Sequence, residues 1–370
     1  FFSMFAKSII SPEGGVTFDN FAQFFKLKYY YSTLKNSLSI CITVTLTCLA
    51  LGIPMAYCAT RYNLIGKSVM NVMIIMSLMS PPFIGAYSWI VLLGRNGALT
   101  KFLTNLGINM PSIYGWGGIV LVFTIKLFPY VYLYVSGALG SIDSSLEEAS
   151  ESLGSGKFRR IMTVTLPVVM PTILSSGLMV FMTSLADFGT PMLIGEGYKV
   201  LPVLIYEEYI SEVGTNAGMA STLSVIIVLC STFVLLLQNA VVMKKNYNMS
   251  ALRPPAVIKL RPIPRVLISF ACILVAFLGF LPQIVVVVSS FRKTSGPIFT
   301  SGFSLNSYRD IAYKLSQHIK NTFTFSITAI ILIVIFGMLV AYLSVKRRSK
   351  TSTLLDTMVM FTYVIPGAVL

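Results

Sequence analysis

A dense group of charged side chains interrupts a mostly apolar chain at residues 147–167, EEASESLGSGKFRRIMTVTLP. Three glutamates precede a Gly-Ser-Gly turn and three basic residues follow it, so the segment could bind a charged partner or lipid headgroups. It is not a phosphate-binding loop, because Gly154-Ser-Gly-Lys157 lacks the first glycine of G-x-x-x-x-G-K-[ST] and is followed by Phe158. No other segment of the sequence matches that loop either, so we expect any ATP to bind to another chain.

We expect this segment to fold as a short helix, a tight turn and a second, basic stretch. Ser144 and Glu147 fit an S-x-x-E capping box, in which each side chain satisfies a free backbone N–H group. Gly154 follows the helix at a point where glycine commonly ends one. Pro167 would stand at the start of the next helix, where its missing N–H group costs nothing. The short helix would carry one apolar stripe, formed by Leu146, Ala149 and Leu153.

The rest of the chain has the composition of a membrane protein. Of the 370 residues, 55% are hydrophobic and 11% are charged, with a mean hydropathy of +0.80, whereas soluble domains carry about 25% charged residues. The apolar stretches are continuous and long enough for helices that cross a bilayer, rather than alternating as in membrane strands. We therefore predict an all-α, polytopic transmembrane helical bundle with about eight spans. These spans are Lys35–Cys58, Ser68–Leu93, Trp116–Gly140, Val168–Ala186, Gly218–Val242, Val266–Ser289, Asn321–Val345 and Thr353 onward.

The basic residues indicate how these spans are oriented. Alternate loops hold 15 of the 28 Lys and Arg residues, although the opposite side of the membrane has nearly twice as many loop residues. The positive-inside rule places these loops in the cytoplasm, although four lysines in the N-terminal tail weaken the asymmetry. They are residues 60–67, 141–167, 243–265 and 346–352. The net charge of +15 therefore indicates topology, and we expect no nucleic-acid partner.

A repeat divides the chain. Residues from Lys35 onward match residues from Lys320 onward at a constant displacement of 285, which aligns Gly52 with Gly337 and Pro81 with Pro366. We predict a first unit at 1–242, a cytoplasmic linker at 243–265 and the start of a second unit at 266–370. In this register the second unit stops before its own copy of the charged segment, and a further helix would precede Phe1.

The charged segment also supports a family resemblance. Glu148-Ala149-Ser150, three residues, Gly154, nine residues and then Val164-Thr165-Leu166-Pro167 closely resembles the EAA signature of type I, MetI-like permeases, the membrane subunits of binding-protein-dependent ABC importers. Ser150 replaces a usual alanine and Val164 a common isoleucine. The resemblance implies a coupling helix that docks on an ATP-binding subunit. Its expected residues are Glu147, Glu148, Ala149, Ser150, Gly154, Val164, Leu166 and Pro167. A helix that only meets lipid headgroups is the alternative.

The same resemblance implies the setting in which the chain works. It implies a multi-pass permease of the bacterial cytoplasmic (inner) membrane, with an external or periplasmic solute-binding protein and two ATP-binding subunits that bind ATP and Mg. The chain itself would be neither an enzyme nor a cofactor protein. Fused two-unit permeases most resemble ferric-iron importers, as does the segment 184–195. Thiamine, polyamine and aminoethylphosphonate are the alternative substrates, and a secondary transporter is the alternative class.

Three further residues are candidates for the transport path or its gate. Lys126 lies about 15 Å into a span, where charged side chains usually face a cavity or pair with another group. Asp187 and Phe188 begin an outer segment that could form a gate, receive the binding protein or simply be solvated. We expect no metal site, because the five cysteines form no CxxC pair and the single histidine, His318, lacks nearby ligands.

Overall fold

The computed structural model describes residues 2–10, 15–210, 216–242, 256–295 and 298–346. These residues form helices, connecting loops and a β-hairpin of β1 (Arg292–Ser295) and β2 (Ile298–Phe303). A π-helical turn, Ile161–Thr165, lies between the ninth and tenth helices. The helices are α1 (Phe2–Ile9), α2 (Asp19–Lys26), α3 (Lys28–Arg61), α4 (Lys67–Leu78), α5 (Pro82–Leu93), α6 (Ala98–Asn105), α7 (Trp116–Gly140), α8 (Ser144–Ser152), α9 (Lys157–Arg160), α10 (Leu166–Ala186), α11 (Gly189–Ile194), α12 (Leu201–Ile210), α13 (Ala217–Val242), α14 (Pro262–Ser290), α15 (Asn306–Lys314) and α16 (Ser316–Lys346).

The described helices confirm an all-α polytopic membrane protein. Six of them are long and apolar enough to cross a membrane, and the broken pair that starts with α4 would make a seventh. The six are Lys28–Arg61, Trp116–Gly140, Lys157–Ala186, Ala217–Leu237, Pro262–Ser290 and Ser316–Ser344. The eighth predicted span, from Thr353 onward, lies outside the described residues. So does most of the predicted linker, and the division at 242 and 265 stays a prediction.

The second predicted span is not one helix. In place of Ser68–Leu93 the structure has α4 and α5, and the chain turns by 110° between α4 and the helices that follow. The cause is local, because Pro81 has an extended ψ of 145° and Pro82 supplies no N–H group to continue the first helix. Such a break leaves helix ends within the membrane unit, where neighbouring groups must satisfy them.

By their packing, the described residues fall into two compact units, and the division between them lies within α14, between Gln283 and Ile284. These are called the first and second unit below and are distinct from the two repeat units predicted from the sequence. In the first unit α3, α7 and α10 share the core. Gly52 lets α3 approach α7 closely, because a Cβ atom there would lie 2.7 Å from the Cβ of Val131. The Thr47 and Thr124 hydroxyls hydrogen-bond across the same pair of helices at 2.6 Å. Small residues and hydroxyls are the usual means by which helices associate in lipid.

One end of the first unit gathers three of the loops predicted to be cytoplasmic. Arg61 at the end of α3 forms an ion pair with Glu147 of the charged segment at 2.5 Å. Its carbonyl oxygen accepts the Ile258 N–H from the chain that leads into α14, at 2.8 Å. The Asn63 side chain accepts the Leu260 N–H at 3.0 Å. These loops therefore share one side, as the distribution of basic residues predicts.

The opposite end holds a second set of polar contacts. Arg95 pairs with Glu196 at 2.6 Å, and Lys199 pairs with Glu207 at 2.5 Å. Burial by itself would lower the pKa of Lys199, but its hydrogen bonds to Glu207 and to the Tyr29 hydroxyl outweigh this effect and raise that pKa. Each of these residues lies in or beside a segment predicted to be on the outer side.

The second unit contains the hairpin, α15 and α16. The Arg292 guanidinium lies 4.9 Å from the centre of the Phe299 ring across the two strands, and the Ser290 and Tyr308 hydroxyls hydrogen-bond at 2.7 Å.

The close approach of α3 and α7 generates a test. Gly52→Ala should lower the free energy of unfolding by about 1–3 kcal/mol, because the new methyl group overlaps Val131 and the two helices must move apart. Thermal unfolding of the purified protein in detergent measures the effect. Gly137→Ala on α7 is the matched control, since a Cβ atom there meets nothing within 4 Å. Equal unfolding temperatures for both variants would contradict the packing.

Candidate functional site

The charged segment begins with a capped helix, but the cap differs from the predicted one. Asp143 is the N-cap of α8, and its Oδ1 accepts the Ser145 N–H at 2.9 Å. The prediction of a box between Ser144 and Glu147 was wrong, because Ser144 is already the first helical residue. The Glu147 carboxylate is instead directed to Arg61. The helix is therefore capped locally, and its first turn is tied to another part of the chain.

The turn after α8 requires glycine for a backbone reason. Gly154 has a φ of +80°, its N–H donates to the carbonyl of Glu151, and the Ser155 N–H donates to the carbonyl of Ser150. This pair of hydrogen bonds is the Schellman arrangement that ends a helix. A Cβ atom at Gly154 would meet nothing within 4 Å. Another residue there is therefore disfavoured by backbone strain and not by crowding.

The return to the membrane starts earlier than the sequence suggests. Pro167 is the second residue of α10, as expected for a proline near a helix start, but the span that contains it already begins at Lys157 and continues to Ala186. The π-helical turn precedes Pro167, and the Leu166 N–H bonds the carbonyl of Ile161, five residues back. A proline inside a helix loses one hydrogen bond and crowds the carbonyl four residues before it. The wider turn accommodates Pro167 without interrupting the helix.

A buried ion pair holds one face of the charged segment against the end of α3. Both guanidinium NH groups of Arg61 bind the Glu147 carboxylate, at 3.0 and 2.5 Å, and the Thr165 hydroxyl donates to it at 3.2 Å. The Arg61 side chain is 3% exposed and that of Glu147 is 21% exposed. Arg61 also ends α3, where a cation suits the helix dipole. Sequence reasoning missed its role, because a basic residue at the end of a span was read as a topology signal only.

The face of the charged segment that points away from Arg61 is exposed. Arg160 binds the exposed Glu151 across the turn at 2.7 Å, which holds α9 against α8. Leu153 is 86% exposed and Phe158 is 74% exposed. Both side chains belong to the part of the segment that does not contact the rest of the described chain.

The other residues marked by the resemblance lie around this surface. Glu148, Ala149 and Pro167 are exposed, Val164 and Leu166 are half-buried, and Ser150 is buried.

The candidate path residues meet at the broken span. Lys126 of α7 binds Asp187 at 2.6 Å between Nζ and Oδ2, and the other Asp187 oxygen accepts the Thr190 N–H at 3.0 Å. Asp187 is 5% exposed and Lys126 is 17% exposed. The sequence named both residues as candidates and had left a paired structural lysine open, but nothing in it indicated that the two are bonded to each other.

An aromatic group stands beside this pair. The Phe188 ring packs edge-on against Phe83, with centroids 5.5 Å apart, and lies 4.8 Å from the Tyr206 ring. These three rings and the ion pair line a cavity of about 650 Å³. Phe83 and Tyr206 were not predicted, since no local pattern links residues so far apart in the chain. Within the described residues no group of three or more His, Cys, Asp or Glu side chains could hold a metal ion.

Comparison with known proteins identifies the class. Residues 49–246 match the family described as the binding-protein-dependent transport system inner membrane component. This match covers more than half of the chain, so the chain belongs to that family. It is accordingly a multi-pass inner-membrane protein, and the matched region includes both the charged segment and the cavity.

The chain is also similar to individual permeases, at 26% and 34% identity. The ferric transport system permease protein FbpB of Actinobacillus pleuropneumoniae is 26% identical over 366 residues, which cover 92% of this chain and 50% of that protein. The molybdenum transport system permease protein ModB of Haemophilus influenzae is 34% identical over 159 residues, 43% of this chain and 69% of that protein. The chain spans about half the length of the ferric relative.

Solved structures agree on the fold. A crystal structure of a bacterial ABC transporter involved in the import of the acidic polysaccharide alginate superposes with a TM-score of 0.53 at 16% identity. The match covers 66% of this chain and 90% of that one. At this identity the likeness shows the architecture alone.

The two ion pairs of the charged segment differ in burial and provide a matched test. Arg61→Met should lower the free energy of unfolding by about 3 kcal/mol, because it leaves the Glu147 carboxylate partly buried without its partner. Arg160→Gln should change it by about 1 kcal/mol or less, since Glu151 is in water. Thermal unfolding in detergent compares the two variants. A loss for Arg160→Gln as large as that for Arg61→Met would contradict this assignment.

Proposed function

We propose that the chain is part of the permease of an ATP-driven importer and that residues 144–160 form its docking site for a separate ATPase subunit. One observation carries the proposal: the segment is anchored inward by Arg61 and presents apolar side chains outward. Two ATP-binding subunits would supply the energy and bind ATP and Mg, and an external solute-binding protein would deliver the solute. The chain contributes the path and the coupling and no catalysis of its own.

The contacts suggest how movement would reach the membrane helices. A partner that displaces α8 would act on α3 through the Glu147–Arg61 pair, and on the helix of residues 157–186 through Thr165 and the turn at Gly154. These two helices pack against α7, which carries Lys126. The docking surface is therefore connected to the cavity by three helices of one core, and no loop needs to transmit the force.

For the solute we propose ferric iron. The support is the similarity to the ferric permease, which extends over 92% of this chain. Molybdate is the second candidate, supported by the higher identity of the molybdenum permease over a shorter stretch. Thiamine, polyamines and aminoethylphosphonate are retained as the alternatives that the sequence resemblance left open.

The exposed apolar residues test the docking site. Leu153→Asp should abolish co-purification of the ATPase subunit with the permease, because a charge would enter an apolar contact, while the unfolding temperature stays unchanged. Leu106→Asp, an equally apolar exposed position on the outer side, is the matched control and should leave co-purification intact. Loss of the complex in both variants, or in neither, would refute the assignment of this surface.

Uptake measurements test the function and the solute together. The full-length protein, reconstituted with its ATPase and candidate binding proteins, should import labelled ferric iron only with ATP, and Gly154→Asp should reduce uptake about tenfold or more through backbone strain. Gly156→Asp is the control, since Gly156 has an ordinary φ of −64° and open space around it.

Uptake that persists without ATP and survives Gly154→Asp would instead favour a secondary transporter. ATP-dependent uptake of molybdate or thiamine without iron would change the solute and keep the mechanism.

A further inference from the structure

The cavity beside the broken span has an electrical polarity that follows from its hydrogen bonds. Both oxygens of Asp187 are engaged, one by Lys126 and one by the Thr190 N–H, and the carboxylate is almost completely buried. Lys126 has three N–H donors, and Asp187 takes one of them. The ammonium is also the more exposed partner of the pair. A solute in the cavity therefore meets unused cationic donors before it meets the carboxylate.

The rest of the lining suits oxygen atoms on the solute. Ser80 and Tyr130 add hydroxyl groups to the wall. Phe83, the second residue of α5, also lines the cavity, so the positive N-terminal end of that 12-residue helix borders the same space. A cavity volume of about 650 Å³ is in the range of small-molecule sites.

On this basis we propose that the cavity is an intramembrane binding site for the anionic, oxygen-rich part of the transported solute, and that Lys126 recognises it. The proposal rests on the transport function proposed above and specifies its chemistry. A tetrahedral oxyanion satisfies this site directly. A bare ferric ion would be repelled by Lys126, so iron would pass through this cavity with anionic oxygen ligands attached to it.

Asp187 has a defined part in this site. It forms an ion pair with Lys126 and holds that side chain in place within a membrane unit, where an isolated ammonium would be costly. Because its carboxylate is 5% exposed and lies behind Lys126 and the Thr190 N–H, it is poorly accessible to a cationic solute. An organic cation such as a polyamine would require the opposite arrangement, with the carboxylate exposed and its oxygens free.

Equilibrium binding of radiolabelled molybdate to the full-length protein in lipid nanodiscs tests the site. The wild type should bind, and Lys126→Arg should stay within about threefold because it keeps the charge. Lys126→Gln strands a buried carboxylate and could unfold the protein, so the decisive variant is the double change Lys126→Gln and Asp187→Asn. It should retain the unfolding temperature and weaken binding at least about tenfold, roughly the effect of one charged contact. Lys101→Gln, an exposed lysine on α6, is the charge-matched control and should bind as the wild type does.

Binding of labelled iron distinguishes the two candidate solutes, an iron complex with anionic ligands and a free oxyanion. If the cargo is an iron complex, labelled ferric ion should bind only when inorganic phosphate is added, and the double variant should lose this binding. If the cargo is an oxyanion, molybdate should bind and iron should not, with or without phosphate. Either result supports a site for anionic oxygen groups.

Other outcomes would overturn the proposal. These are wild-type molybdate affinity in the double variant, an equal loss in Lys101→Gln, or binding of labelled spermidine that Asp187→Asn removes. Gly154→Asp separates this proposal from the coupling function, since it should bind molybdate normally and fail only in ATP-driven uptake. Absence of wild-type anion binding alongside intact ATP-dependent uptake would refute the cavity site and leave the importer function standing.

Discussion

The ion pair between Arg61 and Glu147 organises one end of the first unit. Arg61 is almost fully buried, and a buried guanidinium without a partner would cost several kcal/mol, so α8 has to lie against the end of α3. The same carboxylate accepts the Thr165 hydroxyl, and the Arg61 carbonyl accepts the Ile258 N–H. The positions of the charged segment, of the helix 157–186 and of the chain leading into α14 therefore depend on one residue at the end of α3.

The broken second span follows from a different constraint. Two consecutive prolines cannot continue a helix, so the membrane unit must accommodate two helix ends in its interior. The structure uses the space beside this break for a buried ion pair and an aromatic group. The helices that carry Lys126 and Asp187 also pack on α3, through Gly52 in the case of α7. The cavity and the charged segment are consequently built on the same three helices, which connects the two sites physically.

Local patterns predicted much of this architecture. Continuous apolar runs located the six described helices that are long and apolar enough to cross a membrane, and the EAA resemblance marked the segment that lies at one end of the first unit. The errors were also local. Asp143 rather than Ser144 caps α8, the span that contains Pro167 begins earlier, at Lys157, through a π-helical turn, and the prolines at 81–82 break a span that apolar content alone had made continuous. In each case hydrogen bonding of neighbouring backbone groups decided between alternatives that the composition allowed.

The sequence by itself determined that the chain spans a membrane, where most of its long helices run, which loops are basic, and that Gly154 ends a helix, because these properties depend on composition and on spacing within one or two turns. Only the tertiary structure decided that Glu147 binds Arg61, 86 positions away, that Lys126 binds Asp187, 61 positions away, and that Phe83 and Tyr206 stand beside them. The physical reason is that a buried charge must find its counter-charge in space. Which residue is near is set by the packing of helices against one another, and the local sequence does not encode that packing.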